Sequence, residues 1–432
     1  MNEIELARTY LQTLLEIERA PQAQVDAYQQ DLLASLYRHA TRNVPFYRDY
    51  PELIDPPDPA SREWRSLPLI SRRDLIRHAN AITTRSMPQS HGLITSEQTG
   101  GSTGTPVRVA LSTLDSVARM ASTYRMFLAW KLDVSLPLFM IRKQQIGSER
   151  RDGPGFRKWG FPWLPESELA PRLYVDIATP PAGQLASIAS EAPAYVNTLP
   201  SNVLRLGLEA RAHRDASPQI PVIISVAEYL PREVRALAET TFGSRVINVL
   251  SSAESGIIAI ECPASGLLHI QSEAVMVEII RDTGEPCQVG EVGELVVTPL
   301  YNYATPLIRY RSGDFVEKGP ACRCGRSLPT IARVVGRREH MFSFPDGRRS
   351  LPNIDRVRIS EILGHEFWTF VQNGPTACEL LVAEDGYDDH AKELIALLTA
   401  ATDEMFSITV RRVASLPLTS GGKRHFSDNR TV

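Results

Sequence analysis

The sequence predicts an α/β protein. A large N-terminal domain combines a parallel α/β sheet with an antiparallel β subdomain, and a small mobile α+β C-terminal domain follows. Three observations lead there. Nearly continuous apolar runs, such as Leu136–Ile141, Val196–Leu199, Val222–Val226 and Arg245–Leu250, alternate with helical stretches, as expected of strands buried on both faces. From residue 257 the pattern changes to short strands joined by turn residues such as Asp282-Thr283-Gly284. From residue 341 a separate set of strands and one long helix appears. The expected bounds are 1–337 for the N-terminal domain, with the β subdomain at about 257–337, a hinge at about 338–340 and a C-terminal lid at 341–432.

Taken in order, Leu6, Tyr10, Leu14 and Ile17 recur at helical spacing, and after Pro21 a second run carries Leu32, Leu33, Leu36 and Tyr37. Helix is therefore predicted over 3–40, ended by Asn43-Val44-Pro45-Phe46-Tyr47, with a Pro-rich loop at 51–59. Ser71 is placed to cap a helix that opens at Arg72. The loop Thr99-Gly100-Gly101-Ser102-Thr103-Gly104-Thr105-Pro106 precedes the strand-like Val107–Leu111. Val117, Met120, Tyr124 and Phe127 share one face of a helix at 115–131. Residues 143–168 are irregular, and Trp159, Phe161 and Trp163 are candidates either for aromatic pocket walls or for a packed surface loop. Helices are expected from Pro200 to Ala212 and from Pro231 to Phe242. The β subdomain offers strands at Gly256–Glu261, Leu267–Ile270, Val275–Ile280 and Glu294–Thr298. The C-terminal part offers strands near 366–372, 377–383 and 407–413, and a helix at 389–404 with Leu394, Leu397, Leu398 and Ala401 in phase.

Composition narrows the function classes. A net charge of −3, from 47 Lys+Arg against 50 Asp+Glu, gives no bulk attraction to nucleic acid or anionic lipid, so neither is expected as a partner. No apolar run approaches the ~18 residues of a membrane-spanning helix. Five cysteines, an odd number in a long chain, indicate reduced thiols or a metal site rather than a disulfide frame. The acidic start Met1–Glu5 lacks the regions of a signal peptide. A cytoplasmic enzyme, monomer or homodimer, is the expectation.

The 99–106 loop can turn several backbone N–H groups toward one anion, because three glycines permit positive φ and close approach. It is not a nucleophile elbow: Pro106 and a β-branched run follow where that elbow needs a helix. No Lys-Ser/Thr ends it, so it is not a Walker A loop. A phosphate loop leading into a strand remains, and since no cation lies inside the loop, the anion's charge must be met elsewhere. Ala227-Glu228 and Asn248–Glu254 each follow a strand of the predicted parallel sheet, where ligands bind. Glu254 can hold Mg²⁺ on a nucleotide. Asp314 ends an apolar run, where a carboxylate can accept two ribose hydroxyls. Lys423 lies in a flexible C-terminal loop from which it can reach an α-phosphate. Cys262, His269, Cys322 and Cys324 form a candidate structural zinc set, one imidazole and three thiolates, although the Cys-x-Cys spacing is tighter than the usual C-x₂-C.

In this order the segments resemble the adenylate-forming superfamily, in its phenylacetate–CoA ligase and CapK-like branch. The resemblance runs nearly end to end, through Asn43–Tyr47, Leu67–Ile70, the 99–106 loop, Asn197–Ser201, Ala227-Glu228 and Glu254. It continues through Glu261-Cys262, Gly266–Ile270, Gly293–Thr298, Pro306–Asp314, Cys322–Arg326, Gly336-Arg337 and Gly422-Lys423. It implies that a carboxylic acid, aromatic in this branch, reacts with ATP to give acyl-AMP and pyrophosphate, after which a nucleophile displaces AMP. By position it implies that Thr99–Thr105 bind phosphates, Glu254 holds Mg²⁺, and Ala227, Glu228 and Tyr229, with Asn248 and Ser251, border the nucleotide. Asp314 would take the ribose hydroxyls, Arg337 would support the nucleotide, Glu339 would be the hinge residue and Lys423 would serve adenylation. The family's Cys-rich members carry a similar zinc set. Departures are visible: Leu250-Ser251 replace the family's Tyr-Gly, so stacking on adenine is either lost or supplied by Tyr229, and Thr105 replaces the loop's usual Lys. Phe344–Arg349 replace the Gly-rich segment after the hinge, which leaves the acceptor open between CoA and an amine, a hydroxyl or a carrier-protein thiol. A nucleotide-binding protein without turnover is the expectation from another class, and the retention of Glu254, Asp314, Arg337 and Lys423 opposes it.

Overall fold

A computed structural model of the chain describes residues 2–48, 58–59, 61–98, 107–143, 158–213, 217–383, 388–416 and 426–431. The expectations for the loop Thr99–Thr105 and for Lys423 lie outside the described residues, as does most of the 143–168 segment. The helices are α1 (Glu3–Ile17), α2 (Gln22–Asn43), α3 (Arg62–Ser66), α4 (Arg72–Arg77), α5 (Ala79–Ile82), α6 (Thr113–Ala129), α7 (Pro181–Glu191), α8 (Pro200–Ala212), α9 (Arg232–Phe242), α10 (Arg356–Leu363) and α11 (Ala391–Ala401). The strands are β1 (Ile94–Gln98), β2 (Arg108–Ser112), β3 (Leu138–Arg142), β4 (Arg172–Asp176), β5 (Tyr195–Thr198), β6 (Val222–Val226), β7 (Arg245–Ser252), β8 (Gly256–Glu261), β9 (Leu268–Ile270) and β10 (Val275–Ile280). They continue with β11 (Val292–Pro299), β12 (Tyr310–Lys318), β13 (Thr330–Arg337), β14 (Phe342–Ser343), β15 (Arg349–Ser350), β16 (Trp368–Gln372), β17 (Ala377–Val382), β18 (Ser407–Arg412) and β19 (Ser427–Asn429).

One eleven-stranded sheet organises the molecule, in the order β10-β11-β12-β13-β9-β8-β7-β6-β5-β3-β4. The five strands from β4 to β7 are parallel. The remainder is antiparallel and joins the parallel part directly through β7 and β8. The expected β subdomain is thus an extension of the same sheet, with its own apolar core around Val297, Leu307, Ile308 and Ile331.

Alternation along the parallel strands explains their unbroken apolar sequence. Phe139, Val196, Ile223 and Val246 point to α7, α8 and α9, whereas Leu138, Tyr195, Val222 and Ile247 point to α1 and α6. Both faces are covered over the middle of the sheet, so the polar, exposed positions are confined to strand ends and the edge strand β4, such as Arg245 and Tyr174. The helix starts obey local chemistry. Asn2 and Glu5 form a capping box on α1, and Ser71 and Asp74 form one on α4.

A four-stranded sheet, β18-β17-β16-β19, packs with α10 and α11 in the C-terminal part. Its β19 was not foreseen, because three polar residues carry no strand signature. The structure differs from the sequence expectation at Asp314 as well. It lies inside β12, paired in register with Arg337 of β13, and not in a turn after an apolar run. Among the described residues no helix is long and apolar enough to cross a membrane.

Candidate active site

The carboxyl ends of β5, β6 and β7 form one wall of a cavity, and β12 and β13 form another. Of the sequence-predicted residues, Ala227, Glu228, Tyr229, Asn248, Ser251, Asp314 and Arg337 all line it. The turn after β6 is sharp: Ala227 has φ 67°, which for a residue with a Cβ costs about 1–2 kcal/mol and must be held by its surroundings. One restraint is Glu228, whose carboxylate accepts the Ser201 backbone N–H at 2.9 Å and the Ser201 hydroxyl at 3.1 Å in the first turn of α8. An anion at a helix N-terminus is favoured by the orphan N–H groups there. Glu228 therefore fixes the turn that presents Ala227 and Tyr229 to the cavity.

Asp314 faces Arg337, with Oδ1 at 3.3 Å from Nε. The Asp314 carboxylate, opposing burial, holds the Arg337 guanidinium above its usual value. Glycines adjoin both partners. Gly313 has φ 83° beside Asp314, and Gly336 has φ 145° beside Arg337, conformations that residues with a Cβ rarely adopt. Glu339, the expected hinge residue, lies in the short turn Arg338–His340, 3.8 Å from Arg337 and 3.6 Å from His340.

Glu254 sits in the turn between β7 and β8 and is 6% exposed. Its Oε1 accepts from Arg72 Nη1 at 3.4 Å and from the Tyr310 hydroxyl at 3.3 Å. Burial and the Glu254 charge push the Tyr310 phenol up, so it acts as a hydrogen-bond donor. Among the described residues Oε2 has no hydrogen-bond partner, which leaves one oxygen of the carboxylate for a cation and fits a Mg²⁺ ligand. Arg72 and Tyr310 were not foreseen at the site. Arg72 was read only as the opening of a helix capped by Ser71, and Tyr310 only as part of Pro306–Asp314, because their roles depend on Glu254, more than fifty residues from either.

Cys262 at the end of β8, His269 on β9, and Cys322 and Cys324 in the loop between β12 and β13 come together, each offering one ligand atom, all within 4.8 Å of one another. Cys262 Sγ and Cys322 Sγ are 3.8 Å apart. Two sulfurs about 2.3 Å from one tetrahedral zinc would be separated by about 3.8 Å. His269 Nδ1 donates to the Leu328 carbonyl at 3.3 Å, which fixes the tautomer and leaves Nε2, 3.2 Å from Cys324 Sγ, for a metal. All five cysteines are free thiols.

The aromatic residues of the irregular segment do not line the cavity. Trp159 packs on Phe127, and Phe161 and Trp163 pack on Tyr124, with ring centroids 5.2–5.4 Å apart. They complete the apolar layer over α6.

No family model matches the chain. Over 167 residues it is 30% identical to the phenylacetate–coenzyme A ligase of Thermus thermophilus, a match of 37% of this chain and 37% of that protein. The match thus spans little more than a third of that relative's length. In fold it is similar to 2-hydroxyisobutyryl-CoA ligase in the postadenylation state in complex with R3-HIB-AMP: TM-score 0.72, 17% identity, 96% of this chain and 91% of that one. The same ligase in complex with 2-HIB-AMP and CoA in the thioesterification state gives a TM-score of 0.62 at 17% identity, over 96% and 92% of the two chains. The fold is that of the adenylate-forming CoA ligases, and the local sequence likeness is to phenylacetate–CoA ligases.

Proposed function

On this fold we propose that the chain is an ATP-dependent ligase that activates a carboxylic acid, aryl or arylacetic, as acyl-AMP and transfers the acyl group to CoA. The single observation that carries the proposal is the convergence of Tyr229, Asn248, Ser251, Asp314 and Arg337 on one cavity, with Glu254 in the adjoining turn. The acid's carboxylate oxygen attacks the α-phosphorus of ATP. The bond to the bridging oxygen breaks, and pyrophosphate leaves. The CoA thiol then attacks the acyl carbon, loses its proton and expels AMP. No general base is needed in the first step, because a carboxylate is ionised near neutral pH.

The residues divide this work. Asp314, restrained by Arg337, accepts the ribose hydroxyls, and Tyr229 lies against the adenine. Glu254 would hold Mg²⁺, which offsets phosphate charge, while the amides of Thr99–Thr105 orient the leaving pyrophosphate. Lys423 is assigned to the charge that develops as the carboxylate meets the α-phosphate. Spacing supports this assignment: Lys423 stands three residues before Phe426, which lines the cavity, a span of about 10 Å of extended chain. We assign 1–337 and 341–432 as the two domains, Arg338–His340 as the hinge, and Cys262, His269, Cys322 and Cys324 as a structural zinc site. Five free thiols support a reducing, cytoplasmic setting.

The proposal is tested by ATP–pyrophosphate exchange against benzoic, hydroxybenzoic, aminobenzoic and arylacetic acids, with and without CoA. Exchange dependent on one acid class, shifting to net AMP release when CoA is added, is the expected result. AMP release that ignores CoA but responds to an amine, a hydroxyl or a carrier protein would replace the acceptor. Absence of exchange with every acid would remove the adenylation of aromatic acids.

A further inference from the structure

Arg356 opens α10, in the C-terminal part of the chain, and Asp355 caps that helix by accepting the Arg358 N–H at 2.9 Å. It is clipped to the main sheet by Glu233, in the first turn of α9, whose Oε1 accepts Arg356 Nη1 at 2.9 Å and the Arg356 backbone N–H at 3.4 Å. Helix α9 directly follows the Ala227-Glu228-Tyr229 turn that walls the cavity. The clip places the guanidinium at that wall. Its carbon lies 5.6 Å from the Tyr229 ring centroid and 5.9 Å from that of Phe426, and all three side chains line the cavity.

The Arg356 side chain is only 13% exposed. Among the described residues Nε and Nη2 have no hydrogen-bond partner. A guanidinium so placed presents a planar set of donors to the cavity, and leaving them unmet beneath a ligand would be unfavourable. The chemistry that meets them is flat and rich in acceptors, with anionic groups attached: the base and ribose phosphate of a nucleotide. Asp314 and Arg337 face the same cavity from β12 and β13.

We infer that Arg356 contacts the bound nucleotide directly, so that the C-terminal part supplies a nucleotide-binding residue to the ATP site; this rests on the adenylation reading. Arg356 contributes through two features, a cation that stacks on Tyr229 and donors that point at the ligand. Nucleotide affinity therefore falls when the guanidinium is removed, even though α10 stays docked. Docking has separate support away from the cavity: Arg205 Nε–Glu366 Oε1 at 3.1 Å and Arg211 Nη1–Glu361 Oε1 at 2.5 Å.

The test is calorimetric titration of the full-length protein with ATP and MgCl₂. Arg356→Ala and the near-isosteric Arg356→Gln are compared with Glu366→Gln, which loosens docking without touching the cavity. The Arg356 variants should bind ATP about tenfold more weakly or worse, the loss of one charge-assisted hydrogen bond. Their exchange rate at saturating ATP should stay within a few fold of wild type, so that the effect falls on KM and not on kcat. Glu366→Gln should bind ATP within twofold of wild type. Wild-type affinity in Arg356→Gln would overturn the inference, and so would equal weakening in Glu366→Gln, which would reduce Arg356 to a docking contact. Failure of the wild-type protein to bind ATP would instead remove the adenylation reading, and with it this one.

Discussion

Replacing Asp314 by Asn keeps the shape of the side chain and removes its charge. In the wild type the carboxylate is 14% exposed on its side chain and lies 3.3 Å from Arg337 Nε. A hydrogen bond to a charged group is worth about 1.5–3 kcal/mol and a neutral one about 0.5–1.5 kcal/mol. Two ribose hydroxyls on one carboxylate would therefore lose roughly 2–3 kcal/mol, or about 30- to 150-fold in ATP affinity at 1.4 kcal/mol per tenfold. The fold should tolerate the change. Arg337 is a third exposed and has Glu339 at 3.8 Å as a second carboxylate, so the stability cost should be about 1 kcal/mol or less. The assay is a binding cycle: wild type and Asp314→Asn, each titrated with ATP and with 2′,3′-dideoxy-ATP, with thermal unfolding as the control. The wild type should lose most of its affinity for the dideoxy nucleotide, and Asp314→Asn should barely distinguish the two ligands. An undiminished preference for ATP in the variant, in a protein that melts normally, would refute the ribose assignment.

Lys423→Ala should cut acyl-adenylate formation severely while ATP binding survives in calorimetry, and pyrophosphate release at the wild-type rate would refute the role. Protein purified without added zinc should contain about one zinc per chain by elemental analysis, and Cys324→Ser should lose both the metal and several degrees of melting temperature; a metal-free wild type would remove the site. Exchange activity should require Mg²⁺, and Glu254→Gln should raise the Mg²⁺ concentration needed for half-maximal exchange at least tenfold; an unchanged requirement would take Glu254 out of the metal role.

Most of the wall at the carboxyl ends of the strands was legible in the sequence because its signals are local. The apolar strand Val222–Val226 announces where Ala227 and Tyr229 emerge, and strand Arg245–Ser252 does the same for Asn248 and Ser251. The cluster of Cys262, His269, Cys322 and Cys324 was legible because thiols and imidazoles are sparse and fall in adjacent turns. Long-range contacts left no such trace. Arg356 opens a short helix that alternates charged with apolar residues and was not foreseen, and its position is set by Glu233, over a hundred residues earlier. Arg72 was visible only as part of a helix start, yet it meets Glu254 across the fold. Strand β4 was missed because Arg172–Asp176 lies at the sheet edge and carries charged ends, not an apolar core run. For Trp159, Phe161 and Trp163 the sequence left pocket walls and a packed loop open, and packing on α6 is the alternative the structure shows, because only the fold says which face of the segment meets Tyr124 and Phe127.

In the proposed reaction an acid oxygen is joined to the α-phosphorus of ATP in this cavity. Isotope transfer tests it most directly. An accepted acid labelled with ¹⁸O in both carboxylate oxygens is turned over with ATP and CoA, and the AMP is weighed by mass spectrometry. Attack of the carboxylate on the α-phosphorus predicts AMP carrying one ¹⁸O per turnover and pyrophosphate carrying none. Unlabelled AMP, or label in phosphate released with ADP, would contradict the claim.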